Sequence, residues 1–109
     1  MKQVVAIVKP HLAEKVVDAI KRGPVEAFTV REVKGYGRQK DHLQLYAETE
    51  YALAFLPKVE ISLWVDDARL NEVVDRITEI CRTGRLGDGK IFVMPVERFE
   101  QVIDIGAGL

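Results

Sequence analysis

The chain has 109 residues, 48% of them hydrophobic and 30% charged, which suits one domain of ordinary size with a single core. Lysine and arginine number 16 against 17 acidic residues, a net charge of −1, so the basic excess of a dedicated nucleic-acid binder is missing. Cys81 is the one cysteine, which excludes an internal disulfide. With no signal-peptide pattern in "MKQVVAIVKP" and no bilayer-spanning segment, the expectation is a soluble cytoplasmic protein without direct membrane insertion.

Residues 3–8, "QVVAIV", are apolar and β-branched, and Pro10 ends the run, as in a buried central strand. From His11 the period changes. Leu12, Ala13, Val16, Val17 and Ile20 recur at helical spacing with Glu14, Lys15, Asp18 and Lys21 opposite, and Gly23-Pro24 marks the stop. "AFTVREVKGY" sets Phe28, Val30 and Val33 against polar neighbours, predicting a second strand with a slip in phase. A long connection leaves from Gly35. Pro57 then introduces "KVEISLWV", where Val59, Ile61, Leu63 and Val65 alternate strictly with Lys58, Glu60, Ser62 and Trp64. Asp66 and Asp67 stand where a helix cap belongs. Leu70, Val73, Val74, Ile77, Ile80 and Cys81 make one helical stripe that stops at Gly84. "KIFVMPV" is a fourth strand ending near Pro95.

The order βαββαβ predicts an α+β fold, a ferredoxin-like sandwich with two helices over one face of a four-stranded antiparallel sheet. No repeat or linker divides residues 1–109, so they form one domain. The second sheet face, bearing Lys58, Glu60, Ser62 and Trp64, is expected to be an association surface. His11 and His42 read as surface residues, and Cys81 as a buried structural thiol. No nucleophile–base pair stands out, so an enzyme is not expected.

All glycines but Gly23 fall in three groups: Gly35 and Gly37; Gly84, Gly87 and Gly89; Gly106 and Gly108. Backbone N–H groups in such loops can form anion-binding nests. "RTGRLGDGKI" fits Walker A spacing until its last position, where Ile91 replaces the Ser or Thr that would hold Mg²⁺. It also runs from helix to strand, the reverse of a P-loop. A P-loop NTPase is rejected, and an anion-binding loop with Arg82, Arg85 and Lys90 around it is retained. A helix C-cap followed by a tight turn would explain Gly84 without any ligand. "GYGRQK" starts like a dinucleotide fingerprint but has Lys40 in place of the third glycine.

Three segments, "EVKGYGRQK", "EY…FLPKVEI" and "RTGRLGDGKIFV", closely resemble the signature segments of the PII signal-transduction proteins, the nitrogen-regulatory family. The resemblance runs from Met1 to about Val96. It implies a homotrimer whose bare sheet faces line a central cavity, with ATP or ADP in clefts between subunits and 2-oxoglutarate beside the nucleotide. Residues of about 37–55 would be the family's T-loop, which reports ligand state to a target, an ammonium or other transporter or a metabolic enzyme. Residues of about 97–109 would be the C-terminal tail.

Carried over position by position, the resemblance places Gly87, Asp88, Gly89 and Lys90 around the nucleotide phosphates, with Gly35, Gly37, Arg38 and Gln39 beside them. Ile7, Thr29 and Trp64 fall near the nucleoside. Gln39 and Lys58 would meet 2-oxoglutarate, and Gln39 the Mg²⁺ that bridges it to ATP. The chemistry is consistent: a dicarboxylate needs a cation, and Mg²⁺ takes oxygen ligands such as phosphate and amide carbonyl. Tyr51 matches a tyrosine that is uridylylated in some members, and Thr49 the position of a phosphorylated serine in others.

The sequence departs from the family at Asp41, where glycine is usual, and at Trp64, a large residue for its position. Family members usually carry two phosphate-gripping arginines in the tail. Here that region has Gln101, Ile103 and Asp104, and Arg98 is its only arginine. The alternatives are therefore a diverged sensor of another small anion with AMP or ADP preference, and a nucleotide-hydrolysing enzyme built on the same loops.

Overall fold

Strand β1 (Lys2–Val8) lies in the middle of a sheet because both of its flanks are paired, to β3 (Leu56–Val65) on one side and β4 (Gly89–Pro95) on the other. Strand β2 (Ala27–Gly35) pairs the far side of β3, giving the order β2-β3-β1-β4 with every pair antiparallel. Helix α1 (Pro10–Lys21) follows β1. A 3₁₀ turn (Asp67–Arg69) and helix α2 (Leu70–Cys81) follow β3. This is the α+β, ferredoxin-like βαββαβ arrangement that the sequence predicts. The computed structural model describes residues 1–35, 56–85 and 87–102.

Side-chain alternation divides the sheet into two faces. Val4, Ala6 and Val8 of β1 join Ile61, Leu63 and Val65 of β3 under the helices, all with at most 1% exposure. From above, α1 inserts Leu12, Val16 and Ile20, and α2 inserts Val73, Ile77 and Cys81. Burying one such aliphatic side chain contributes about 1.5–3 kcal/mol, so this single layer of contacts is the main source of stability. Pro10 opens α1, where its missing N–H costs nothing. At the other end the N–H of Gly23 donates to the Ile20 carbonyl at 3.0 Å and closes the last turn.

Three local expectations change. β2 has no slip in phase. Its register with β3 is continuous, with Phe28 opposite Leu63, Val30 opposite Ile61 and Val33 opposite Lys58. Phe28 and Val30 therefore share the helix side and Val33 belongs to the other face. Asp66 and Asp67 do not cap α2. Neither side chain makes a cap hydrogen bond, and the Asp67 carboxylate instead receives the Met1 ammonium at 3.0 Å, with Lys2 at 3.8 Å. Gly84 does not terminate α2 either, since the helix ends at Cys81 and Arg82 is its C-cap.

The β2 and β3 ends meet where Gly35 pairs with Leu56. A two-residue turn could join them, so residues 36–55 are far more chain than the pairing needs. The readings of Gly37, Arg38, Gln39, Asp41, His42, Thr49 and Tyr51 lie outside the described residues. So do those of Ile103, Asp104, Gly106 and Gly108.

Candidate functional site

The glycine-rich segment joins α2 to β4 at the end of the sheet where β1 finishes. Three of its glycines occupy the left-handed half of backbone space, Gly84 at φ 83°, Gly87 at φ 82° and Gly89 at φ 128°. Gly89 is also sterically fixed. It pairs with Val8, and a Cβ there would run into the carbonyl oxygen of Ile7. Only glycine lets the backbone come this close.

Asp88 gathers the segment together. Its Oδ2 accepts the backbone N–H groups of Thr83 and Gly84, both at 2.8 Å. Its Oδ1 accepts the Thr83 hydroxyl and the Lys9 ammonium, the latter at 3.3 Å. The Thr83 hydroxyl above all holds the Asp88 carboxyl well below the usual carboxylate range. Burial opposes it, and the two N–H groups and Lys9 add to it. Sequence reading singled out Asp88 but neither Thr83 nor Lys9. The Thr-Gly and Gly-Asp-Gly steps signal a turn, while the lysine's part rests on a contact across 79 residues of chain.

Lys58 is the one buried charged side chain among the described residues, 8% exposed. Sequence alternation predicts it on a bare face, and it does point away from the helices. It lies along the sheet end instead of reaching into solvent, and its Nζ donates to the Gly87 carbonyl at 3.1 Å. Its stem passes so close to Gly35 that a Cβ there would sit 2.9 Å from Cγ. Burial first, then the Lys9 charge, pull the Lys58 ammonium below the ordinary lysine range, with Asp88 opposing them.

Register places the remaining candidates. Ile7 lies between Glu60 and Lys90 in one row across the open face. Ile7, Gly35, Lys58, Gly87, Asp88, Gly89 and Lys90 therefore come together at one sheet end. Thr29 and Trp64 do not join them. Thr29 is on the edge strand opposite Ser62, and Trp64 faces Ala27 and Gln3. Behind the loop, a cavity of about 240 Å³ opens among Val8, Ile77, Cys81, Arg82, Asp88 and Lys90. That is smaller than the roughly 300–1,000 Å³ of ordinary ligand pockets. Cys81 is buried there, and burial, with Asp88 adding to it, pushes its thiol up. Arg82 and Arg85 are exposed beside the loop. Among the described residues no three His, Cys, Asp or Glu side chains converge as metal ligands. No helix among them is long and apolar enough to cross a membrane.

Residues 1–104 match the family profile described as nitrogen regulatory protein P-II. The chain is 42% identical to a nitrogen regulatory protein P-II of Azospirillum brasilense, over 94% of this chain and 91% of that one. Nitrogen regulatory protein GlnK of Escherichia coli K12 is 46% identical, over 90% and 88% of the two chains. A P-II protein of Rhodospirillum rubrum is 44% identical over 89% and 87%. Agreement along nearly the whole length, on a βαββαβ fold carrying the Gly-Asp-Gly-Lys loop, shows that the chain belongs to the P-II family of nitrogen regulatory proteins.

Proposed function

We propose that this P-II protein binds ATP or ADP at the Gly87–Lys90 loop and 2-oxoglutarate beside it, and passes the ligand state to a transporter or metabolic enzyme through residues 37–55. The observation that carries the reading is the loop itself. Gly87 and Gly89 within it, and Gly84 ahead of it, take left-handed backbone, which lets successive N–H groups gather around an anion, and Lys9, Lys58, Arg82 and Lys90 surround it with positive charge. Phosphate is the ligand class such loops suit. Among the described residues Lys58 makes one hydrogen bond, and a lysine ammonium has three donors with which to meet a carboxylate. Mg²⁺, when present, would neutralise phosphate charge and take ligand oxygens. Gln39, the residue assigned to it, lies outside the described residues.

A homotrimer fits the same reading. Trp64, Val5 and Ile7 share the open face with Phe92 and Met94, which are 48% and 38% exposed. Apolar surface of that kind marks association. A neighbouring copy would also bring Thr29 and Trp64 to a loop they do not reach within one chain, and would add walls to a cavity too small for a nucleotide.

Calorimetry with ATP, ADP, AMP and 2-oxoglutarate tests the ligands. Lys90→Ala should weaken nucleotide by about 1.5–3 kcal/mol, the worth of a hydrogen bond to a charged group. Lys58→Ala should weaken 2-oxoglutarate more than nucleotide, which it would lose only through the freed Gly87 carbonyl. Both variants titrating as wild type would overturn the assignment. Sedimentation should give three times the 12.3 kDa chain mass, and a monomer would remove the intersubunit site.

A further inference from the structure

We propose that Asp88 is a positioning residue: its carboxylate clasps Thr83, Gly84 and Lys9 together to shape the phosphate loop, and it does not touch the ligand. The inference rests on the phosphate-binding role proposed above and assigns one of that site's residues a different task.

Direct contact is the wrong chemistry for this side chain. A carboxylate has acceptors only and repels phosphate. Here both oxygens are already used. Oδ2 takes two backbone N–H groups at 2.8 Å, and Oδ1 takes the Thr83 hydroxyl and Lys9. All four donors come from the loop's start or from the end of β1, so the carboxylate faces inward across the loop. Lys9 is 16% exposed and Asp88 22% exposed at their side chains, so the pair is sheltered from solvent screening.

The clasp also explains the loop's shape. Thr83 and Gly84 follow the last turn of α2, and Asp88 immediately precedes Gly89, which is locked against Ile7. Tying Thr83 and Gly84 to Asp88 fixes both ends of the bend. Lys9 ties the bend to the sheet. Lys58 holds the neighbouring Gly87 carbonyl from the other side. A loop held this way before ligand arrives has less freedom to lose on binding.

The two readings of Asp88 give opposite signs. If Asp88 faced the phosphates, Asp88→Asn would remove repulsion and tighten ATP. As a clasp, Asp88→Asn leaves one acceptor oxygen where four donors converge, sets an N–H₂ donor against either the Lys9 ammonium or the two backbone N–H groups, and removes the charge, so binding should fall about tenfold or more. Thr83→Val, which keeps the shape and loses the hydroxyl, should also weaken ATP. Thr83→Ser should restore it to within about threefold of wild type, because the hydroxyl is regained.

Calorimetry with ATP on the full chain is paired with amide hydrogen exchange by NMR on the protein without nucleotide. The N–H groups of Thr83 and Gly84 should be protected in wild type and lose protection in Asp88→Ala, which keeps no acceptor, while Val4 and Ile61 keep theirs. Tighter or unchanged ATP binding in Asp88→Asn would overturn the positioning role. Equal exchange at residues 83 and 84 in both proteins would overturn the clasp whether or not ATP binds. Protected amides in a wild-type protein that binds no nucleotide would support the clasp and overturn the functional reading.

Discussion

At the scale of single residues, two glycines of the loop separate two physical costs. Gly84 and Gly89 both have positive φ, but a Cβ at Gly84 meets nothing within 4 Å, while at Gly89 it meets backbone. Gly84→Ala should therefore cost only its backbone conformation, about 1 kcal/mol. Gly89→Ala should cost that and a displacement of β1 from β4, about 3 kcal/mol in all. Urea denaturation measures both, and equal costs would mean that the close approach to Ile7 is not rigid.

Asp88 predicts a pH dependence of definite sign. Its folded-state pKa is depressed, so it contributes stability that is present above the unfolded carboxylate value of about 3.9. That contribution is lost as pH falls through the folded value. Wild type should exceed Asp88→Asn in stability at pH 7, and the gap should shrink below about pH 3.9. Using the difference between the two proteins cancels Asp67, whose pKa is also lowered, chiefly by its bond to the Met1 ammonium. A gap that stayed constant from pH 7 to pH 2.5 would assign the effect to shape and not to charge.

At the scale of elements, periodicity made both helices and β1, β3 and β4 legible. The helices, β1 and β3 each carry an apolar face whose burial fixes their orientation, while β4 reads as a strand from its apolar run although none of its residues is fully buried. β2 was harder because Phe28 and Val30 lie on one face and Val33 on the other, and only Ala27 is buried. Val30 faces the helix side yet is 47% exposed, so apolar identity there does not report the core. Asp66-Asp67 looked like a cap because cap residues and ion-pair acceptors are the same residue types. The glycine loop was legible from composition, but its clasp was not. Lys9 and Asp88 meet through the pairing of β1 with β4, and nothing in local spacing records that.

The stripe on α2 supports a graded test. Ile77 is fully buried, while Ile80 only packs against the core's border. Ile77→Ala should cost about 2–5 kcal/mol. Ile80→Ala should cost less than half as much, because a partly exposed site leaves no closed cavity. Thermal or urea unfolding of the two variants checks the order. A reversed order would place the helix about one residue out of its described rotation.

For the whole molecule, charge at the proposed nucleotide site decides which nucleotide is preferred. Lys9, Lys58, Arg82 and Lys90 lie around the loop, but Lys9 is committed to Asp88 and Lys58 to Gly87. The tail adds little. Arg98 is 80% exposed and bonded to Glu100 through Nε at 2.9 Å and Nη2 at 2.6 Å. Gln101, in the region where the family resemblance leads one to expect gripping arginines, carries no charge. Arginine holds phosphate through a bidentate fork that a neutral amide cannot replace. The missing cations penalise the most highly charged ligand most, since each added phosphate charge meets less compensation. On the proposed function, ATP should therefore have little or no advantage over ADP when both are titrated at low salt. Gln101→Arg should raise ATP affinity more than ADP affinity, and that gain should shrink as ionic strength rises and the added charge is screened. Competition titrations of wild type and Gln101→Arg at two salt concentrations measure both effects. ATP binding far tighter than ADP in wild type, unchanged by Gln101→Arg, would show that the loop's own cations already match the triphosphate.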